Sequence, residues 1–292
     1  MRKILAVAGF AAMPILFLVS PAPVWAQPGA KPAPLVEFDM MTWPEVKAAL
    51  QAGKTTALFY TGGTEQRGPQ NVNGGHTLMG RPTVKAIALK LGNAIAMPVL
   101  PYTPNNASAD LPGTIGLTND ILAATLERLS EQAIATGFRN VVLMSDHGDG
   151  QEPGPANVYQ NVATKLDRKY GGKGIHVYYC GQVYAANAEF EKYLIAHGYP
   201  DGDHGAVPDT SEMLYLEDGT WVRKNLIAQS VGDPPLIPGA RPAPNAHLVN
   251  NGITGDGRRS SAALGKMFFD MKVDYAVKQI RGFIPPAPKA GH

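Results

Sequence analysis

Side chains of types that hold divalent metals or move protons gather in three short clusters of this sequence. The first cluster is Glu65-Gln66-Arg67-Gly68-Pro69, continuing to Gly74-Gly75-His76. The second is Asp146-His147-Gly148-Asp149-Gly150. The third is His204-Gly205-Ala206-Val207-Pro208-Asp209-Thr210-Ser211. Glu65, His76, His147, Asp149, His204 and Asp209 offer the carboxylate and imidazole groups that suit zinc or manganese. The same residues are also ordinary loop formers beside glycine, with Asp209 in the place of a helix N-cap. No single cluster is a closed metal signature, so spacing alone leaves both readings open.

Residues so far apart in sequence meet only if the fold brings their loops together. Buried strands are expected at 55–60 (TTALFY), 94–100, 140–144 (NVVLM) and 175–179 (IHVYY). Helical spacing appears at 82–91, with Pro82 read as a first-turn proline, and at 119–136, capped by Asn119-Asp120 and stopped by Gly137. Further helices are expected at 156–170, 186–197, 210–217 and 260–281. Strands alternating with crossover helices predict one α/β domain over 35–285, three layers deep, with a mostly parallel sheet. In such sheets ligand sites form at the carboxyl ends of strands. The first two clusters follow strands, and the third opens a helix.

Composition narrows the class. The chain has 292 residues, 45% hydrophobic and 17% charged, which suits a sizeable core and excludes disorder. A single cysteine, Cys180, rules out an internal disulfide, and its place after IHVYY reads as core rather than nucleophile. Ser145 lacks the G-x-S-x-G elbow of a serine hydrolase. Tyr102, Asn105 and Asn106 suit a pocket wall or plain turns, and Tyr215 and Trp221 suit the core.

Arg2 and Lys3 precede an apolar run at 4–19, and the small-residue ending Val24-Trp25-Ala26 follows. That layout predicts a secretory signal peptide cut after Ala26, an uncleaved anchor being the alternative. Residues 1–26 hold two of the 26 basic residues and none of the 24 acidic ones, so removing them leaves 24 against 24. A neutral mature chain makes no electrostatic case for nucleic acid or an anionic membrane. No later apolar stretch reaches the roughly 20 residues of a spanning helix. The expectation is a soluble exported protein, periplasmic or secreted, with a flexible start at 27–34 and a tail at 286–292.

Taken in order, the clusters resemble the creatininase (creatinine amidohydrolase) family of metal-dependent amidohydrolases. Glu65-Gln66-Arg67-Gly68-Pro69-Gln70 stands where that family has E-Q-H-G-P-H, and His76 stands where it has an Asp eleven residues after the Glu. Asp146-His147-Gly148-Asp149-Gly150 is similar to its G-H-G-G-N, or to the H-x-E of creatininase itself. The third cluster is similar to H-A-G-x-x-E-T-S, residues 112–117 (PGTIGL) to P-G-T-I-S-L, and residues 252–262 to G-x-T-G-x-x-x-x-A. The resemblance covers about residues 36–282.

It implies a creatininase-like α/β/α fold, a homo-oligomer (often a hexamer in the family) and a small-molecule substrate. It also implies two metals sharing the position of His76. One would be held by Glu65, His76 and His147, which becomes a two-His, one-Glu set with an open position for water. The second would need Arg67, His76 and Asp149. Arg67 has no lone pair to give. One metal, zinc with manganese as the other choice, is therefore expected, with the Arg67 charge replacing the second and paired to Asp149. Alternatively Asp149 binds metal itself. Arg67 would also suit two-pronged binding of a substrate carboxylate. His204 and Asp209 would then move protons, His204 being the better placed.

The expected activity is hydrolysis of a non-peptide C–N bond in a small or cyclic amide, creatinine itself being disfavoured by the changed motifs. Lactone hydrolysis on the same centre, or a non-catalytic binding protein on a decayed site, are the alternatives.

Overall fold

β1 (Thr56–Thr61) is buried along its whole length, as a run without a polar face must be in a parallel sheet. β2 (Ala94–Ala96) lies on one side of it, β3 (Asn140–Ser145) on the other, and β4 (His176–Tyr179) beyond β3. The order is β2-β1-β3-β4 and every pair is parallel. Thr61 pairs with Ser145, so the carboxyl ends of β1 and β3 finish level. The computed structural model describes residues 34–105, 111–232 and 251–284. The expected leader at 1–26, the segment 27–33, Asn106 and the tail at 286–292 lie outside the described residues. From Leu35 onward the described residues form one compact unit.

Successive strand residues point to opposite faces, and the two faces are covered by different helices. Ala57, Phe59, Val141 and Leu143 pack with α1 (Trp43–Gln51), α3 (Asn119–Thr136) and α4 (Val158–Tyr170) through Ala49, Leu122, Leu126, Val162 and Leu166. Leu58, Tyr60, Val142 and Met144 pack with α2 (Gly75–Leu91), α5 (Gln182–Ala196) and α7 (Ala262–Phe283) through Ile87, Val183, Val273 and Val277. This is the expected three-layer α/β/α architecture. α6 (Val207–Tyr215) lies against α7, where Val207 meets Leu264 and Phe268. Cys180 is fully buried on the second face. Among the described residues no helix is long and apolar enough to cross a membrane.

Three expectations need correction. α2 begins at Gly75 rather than near 82, so Pro82 lies inside the helix; Gly74 offers no capping side chain to announce the true start. The second strand stops at Ala96 because Pro98 cannot donate to the ladder, and only an isolated bridge links Thr61 to Leu100. Asp209 is in the first turn of α6, whose N-cap is Ala206, so it does not cap a helix starting at Thr210.

Candidate metal centre

The level ends of β1 and β3 set the first two clusters side by side. Ser145 donates its hydroxyl to Thr61 O at 2.8 Å, and His147 N donates to Ser145 Oγ at 3.0 Å. These bonds fix the turn that carries Asp146 and His147 against the turn that carries Glu65. The 112–117 loop braces Glu65 from the other side: Ile115 N donates to Thr64 O, and Gln66 N to Thr114 Oγ1. His76 is the second residue of α2, and the start of that helix brings its ring beside Glu65. His204 arrives on the loop before α6 and Asp209 on its first turn.

Glu65, 3% exposed, is the hub. Its Oε1 lies 3.2 Å from His76 Nε2 and 3.7 Å from His204 Nδ1, and its Oε2 lies 3.4 Å from His147 Nε2. Arg67 Nη1 donates to the same Oε1 at 2.7 Å, while Nη2 is ion-paired to Asp209. Asp209 also accepts from Gly205 N at 2.8 Å. A cavity of about 350 Å³ opens over these groups, lined also by Asn105, Asp149, Tyr184 and Asp203.

The charges are strongly coupled. Burial raises the Glu65 pKa, but hydrogen bonds from His147 and His76 and the Arg67 charge hold it well below the usual carboxylate range. Burial and Arg67 push the His76 pKa down, yet Asp146 and Glu65 outweigh them and bring it to about 9. The surroundings of His76 therefore favour a positive charge. Burial lowers the His204 pKa. Its Nε2 lies 2.7 Å from Gln66 O, an acceptor only, so Nε2 carries the hydrogen and Nδ1 keeps a lone pair facing Glu65.

Among the described residues, Glu65, His76 and His147 are the group whose donor atoms converge, all within 4.8 Å of one another and all buried. Tetrahedral ligands about 2.1 Å from a zinc ion sit about 3.4 Å apart; His76 Nε2 is 3.2 Å from Glu65 Oε1 and His147 Nε2 is 3.4 Å from the other oxygen, Oε2, so each ring has a carboxylate oxygen at about that separation. The donor set thus fits a divalent cation with one position left over. Asp149 lines the same cavity but stands outside this group. Arg67 does not rely on Asp149: its terminal nitrogens are engaged by Glu65 and Asp209, and the residue is 1% exposed. Arg67 also lines the cavity, and its Nε has no hydrogen-bond partner among the described residues.

The family model for Creatininase, described as creatinine amidohydrolase, matches residues 39–280. The chain belongs to the creatininase family. A curated relative, creatinine amidohydrolase of Pseudomonas putida, is 23% identical over 263 residues, which is 84% of this chain and 96% of the relative. A crystal structure of creatinine amidohydrolase (creatininase) superposes with a TM-score of 0.70 at 23% identity, covering 87% of this chain and all of that one. The structure "Creatininase Mn" gives 0.70 at 24% with the same coverage. Another creatininase, of Zn-Zn type, gives 0.68 at 22%, again covering 87% of this chain and all of that one. The protein is thus a creatininase-family hydrolase with a candidate metal site at Glu65, His76 and His147.

Two buried residues next to this creatininase-family site escaped the sequence reading. Lys272, 1% exposed, reaches Asp146 Oδ2 at 2.9 Å and Glu212 Oε2 at 2.5 Å. A signal for it exists in the sequence. Leu264, Phe268, Lys272, Ala276 and Ile280 recur every four residues, and a lysine in the middle of an apolar helical stripe needs a buried counter-charge. Glu212 follows the third cluster directly and carries no such mark. Of the aromatic candidates, Tyr215 and Trp221 pack on the Met79–Met213 cluster, and Tyr102 is 38% exposed.

Proposed function

We propose that this protein hydrolyses a non-peptide C–N bond of a small or cyclic amide, using one divalent cation, zinc or manganese, held by Glu65, His76 and His147. The observation that carries this reading is the convergence of those three donors beside a third histidine, His204, whose Nδ1 keeps a lone pair. A cation there supplies a Lewis acid for the scissile carbonyl and lowers the pKa of bound water.

The chain's own groups supply the rest. His204 Nδ1 faces the ligand cluster, is kept neutral by burial, and is oriented by Gln66 O, so it can take a proton and return it to the leaving nitrogen. Asp209 holds Gly205 N and the Arg67 guanidinium, which fixes the loop carrying His204. The role left to Asp209 is positioning. Arg67 stands where the resemblance calls for a ligand to a second metal, and its fixed charge balances Glu65 and Asp209 there. That supports one cation per chain, in contrast to the Zn-Zn creatininase.

The test is a panel of creatinine, other lactams, formamides and lactones assayed with Zn²⁺ or Mn²⁺. The expected result is C–N hydrolysis that His147→Ala abolishes and His204→Ala slows by about 10²–10⁴-fold in kcat. Turnover of lactones alone would replace this reading with C–O hydrolysis, and binding without turnover would replace it with a binding protein. The basic head and apolar run of residues 1–26 support export. The family resemblance supports a homo-oligomer, which sedimentation would size.

A further inference from the structure

The two histidine ligands differ in what stands behind them. His147 Nδ1 is buried with no hydrogen-bond partner. His76 Nδ1 lies 3.0 Å from Asp146 Oδ1, close but not aligned as an ideal hydrogen bond, while its Nε2 faces Glu65. The second oxygen of Asp146 accepts from Lys272 Nζ at 2.9 Å, and Lys272 also binds Glu212. Asp146, Lys272 and Glu212 are all 3% exposed or less.

Charges are costly to bury, and such a row is a weak source of stability compared with an apolar filling of the same volume. Its geometry has a direct use. Imidazole binds metal through one nitrogen only when the other carries the hydrogen, and a carboxylate behind the ring enforces that choice and its orientation. Lys272 Nζ, 2.9 Å from Asp146 Oδ2 and 2.5 Å from Glu212 Oε2, holds that carboxylate in place behind the ring. Positions 76 and 146 also depart together from the motifs quoted above, His for Asp and Asp for Gly.

We propose that Asp146, anchored by Lys272 and Glu212, is a positioning residue that makes histidine usable as a metal ligand at position 76. It accepts the Nδ1–H of His76 and leaves the Nε2 lone pair pointing at the space shared with Glu65 and His147. This inference rests on the reading that a cation binds there.

A double-mutant cycle on Zn²⁺ affinity, measured by competition with a chromophoric chelator, tests it. Asp146→Ala is expected to weaken Zn²⁺ binding about 10–100-fold. Asp146→Asn, which keeps an acceptor oxygen, should recover most of that loss. In a His76→Asp background, which has no Nδ1–H, Asp146→Ala should change affinity by less than about threefold. Nitrogen-15 NMR of zinc-loaded wild type needs no variant and should show His76 with hydrogen on Nδ1 and zinc on Nε2. An unchanged affinity in Asp146→Ala, an equal loss in both backgrounds, or zinc on Nδ1 would overturn the proposal. Wild-type protein that takes up no Zn²⁺ would instead remove the reading beneath it, and this inference with it.

Discussion

Two halves of one cavity share Glu65 and treat it in opposite ways. On one side Glu65 faces His76 and His147, two groups that can give up a proton and donate a lone pair. On the other it faces Arg67, which can do neither and carries its charge permanently. The histidine half is the candidate cation site; the arginine half has a cation built in, clamped between Glu65 and Asp209. Changing the arginine half should therefore register as folding stability, and changing the histidine half as metal affinity.

The largest effect belongs to Arg67→Met, which strands Glu65 and Asp209 as buried charges. Denaturant unfolding of the metal-free protein should show a loss of about 3–5 kcal/mol. Its dependence on acid pH should also weaken. In the wild type both carboxylates titrate below their ordinary values of 4.5 and 3.8, because burial is outweighed by the histidines and Arg67 for Glu65, and by Arg67 and His76 for Asp209. Their contribution is complete above those values and is lost as pH falls through the depressed ones. Chelator-treated wild type should lose melting temperature as pH falls below about 4.5 and, because His76 is raised from 6.5 to about 9, also as pH rises through that range, whereas Arg67→Met should lose less on acidification than the wild type does.

His147→Ala comes next. It should lose more Zn²⁺ affinity than the ~10–100-fold cost of removing a supporting partner, read by chelator competition. Its unfolding free energy should fall less than that of Arg67→Met.

Two glycines then divide the halves cleanly. A Cβ on Gly63 would sit 2.8 Å from His147 Cδ2, and one on Gly75 would sit 2.6 Å from Arg67 Cδ. Gly63→Ala should weaken Zn²⁺ binding by about tenfold or more with a small change in melting temperature. Gly75→Ala should cost about 1–3 kcal/mol by overpacking, with the smaller effect on metal. The smallest effect marks the baseline: Glu127→Gln breaks an exposed pair with Lys165 and should change stability by less than about 1 kcal/mol, with no change in metal affinity.

The arginine half was the harder one to read from sequence. Apolar runs such as 140–144 announce buried strands directly, because a parallel sheet covered on both faces leaves no polar register to confuse them. Strand ends followed by Glu65 and His147 therefore pointed to two members of the candidate metal site. Where α2 starts was hidden, since Gly74 and Gly75 provide no capping side chain and Pro82 imitates a first turn. The pairing of Arg67 with Asp209 spans more than a hundred residues and has no periodic signature. Charge logic says that a buried guanidinium needs carboxylates, but only the fold chooses Glu65 and Asp209 over Asp149. Lys272 shows the intermediate case: the apolar stripe marks it as buried, while its partners Asp146 and Glu212 emerge only when α7 packs against α6 and the end of β3.

The central claim, one cation on the histidine half and a guanidinium in place of the second, reduces to a count. Purified protein saturated with Zn²⁺ or Mn²⁺, desalted and assayed by inductively coupled plasma mass spectrometry should hold one metal per chain, falling to none in His147→Ala. Two tightly held metals per wild-type chain, or one that survives His147→Ala, would contradict it.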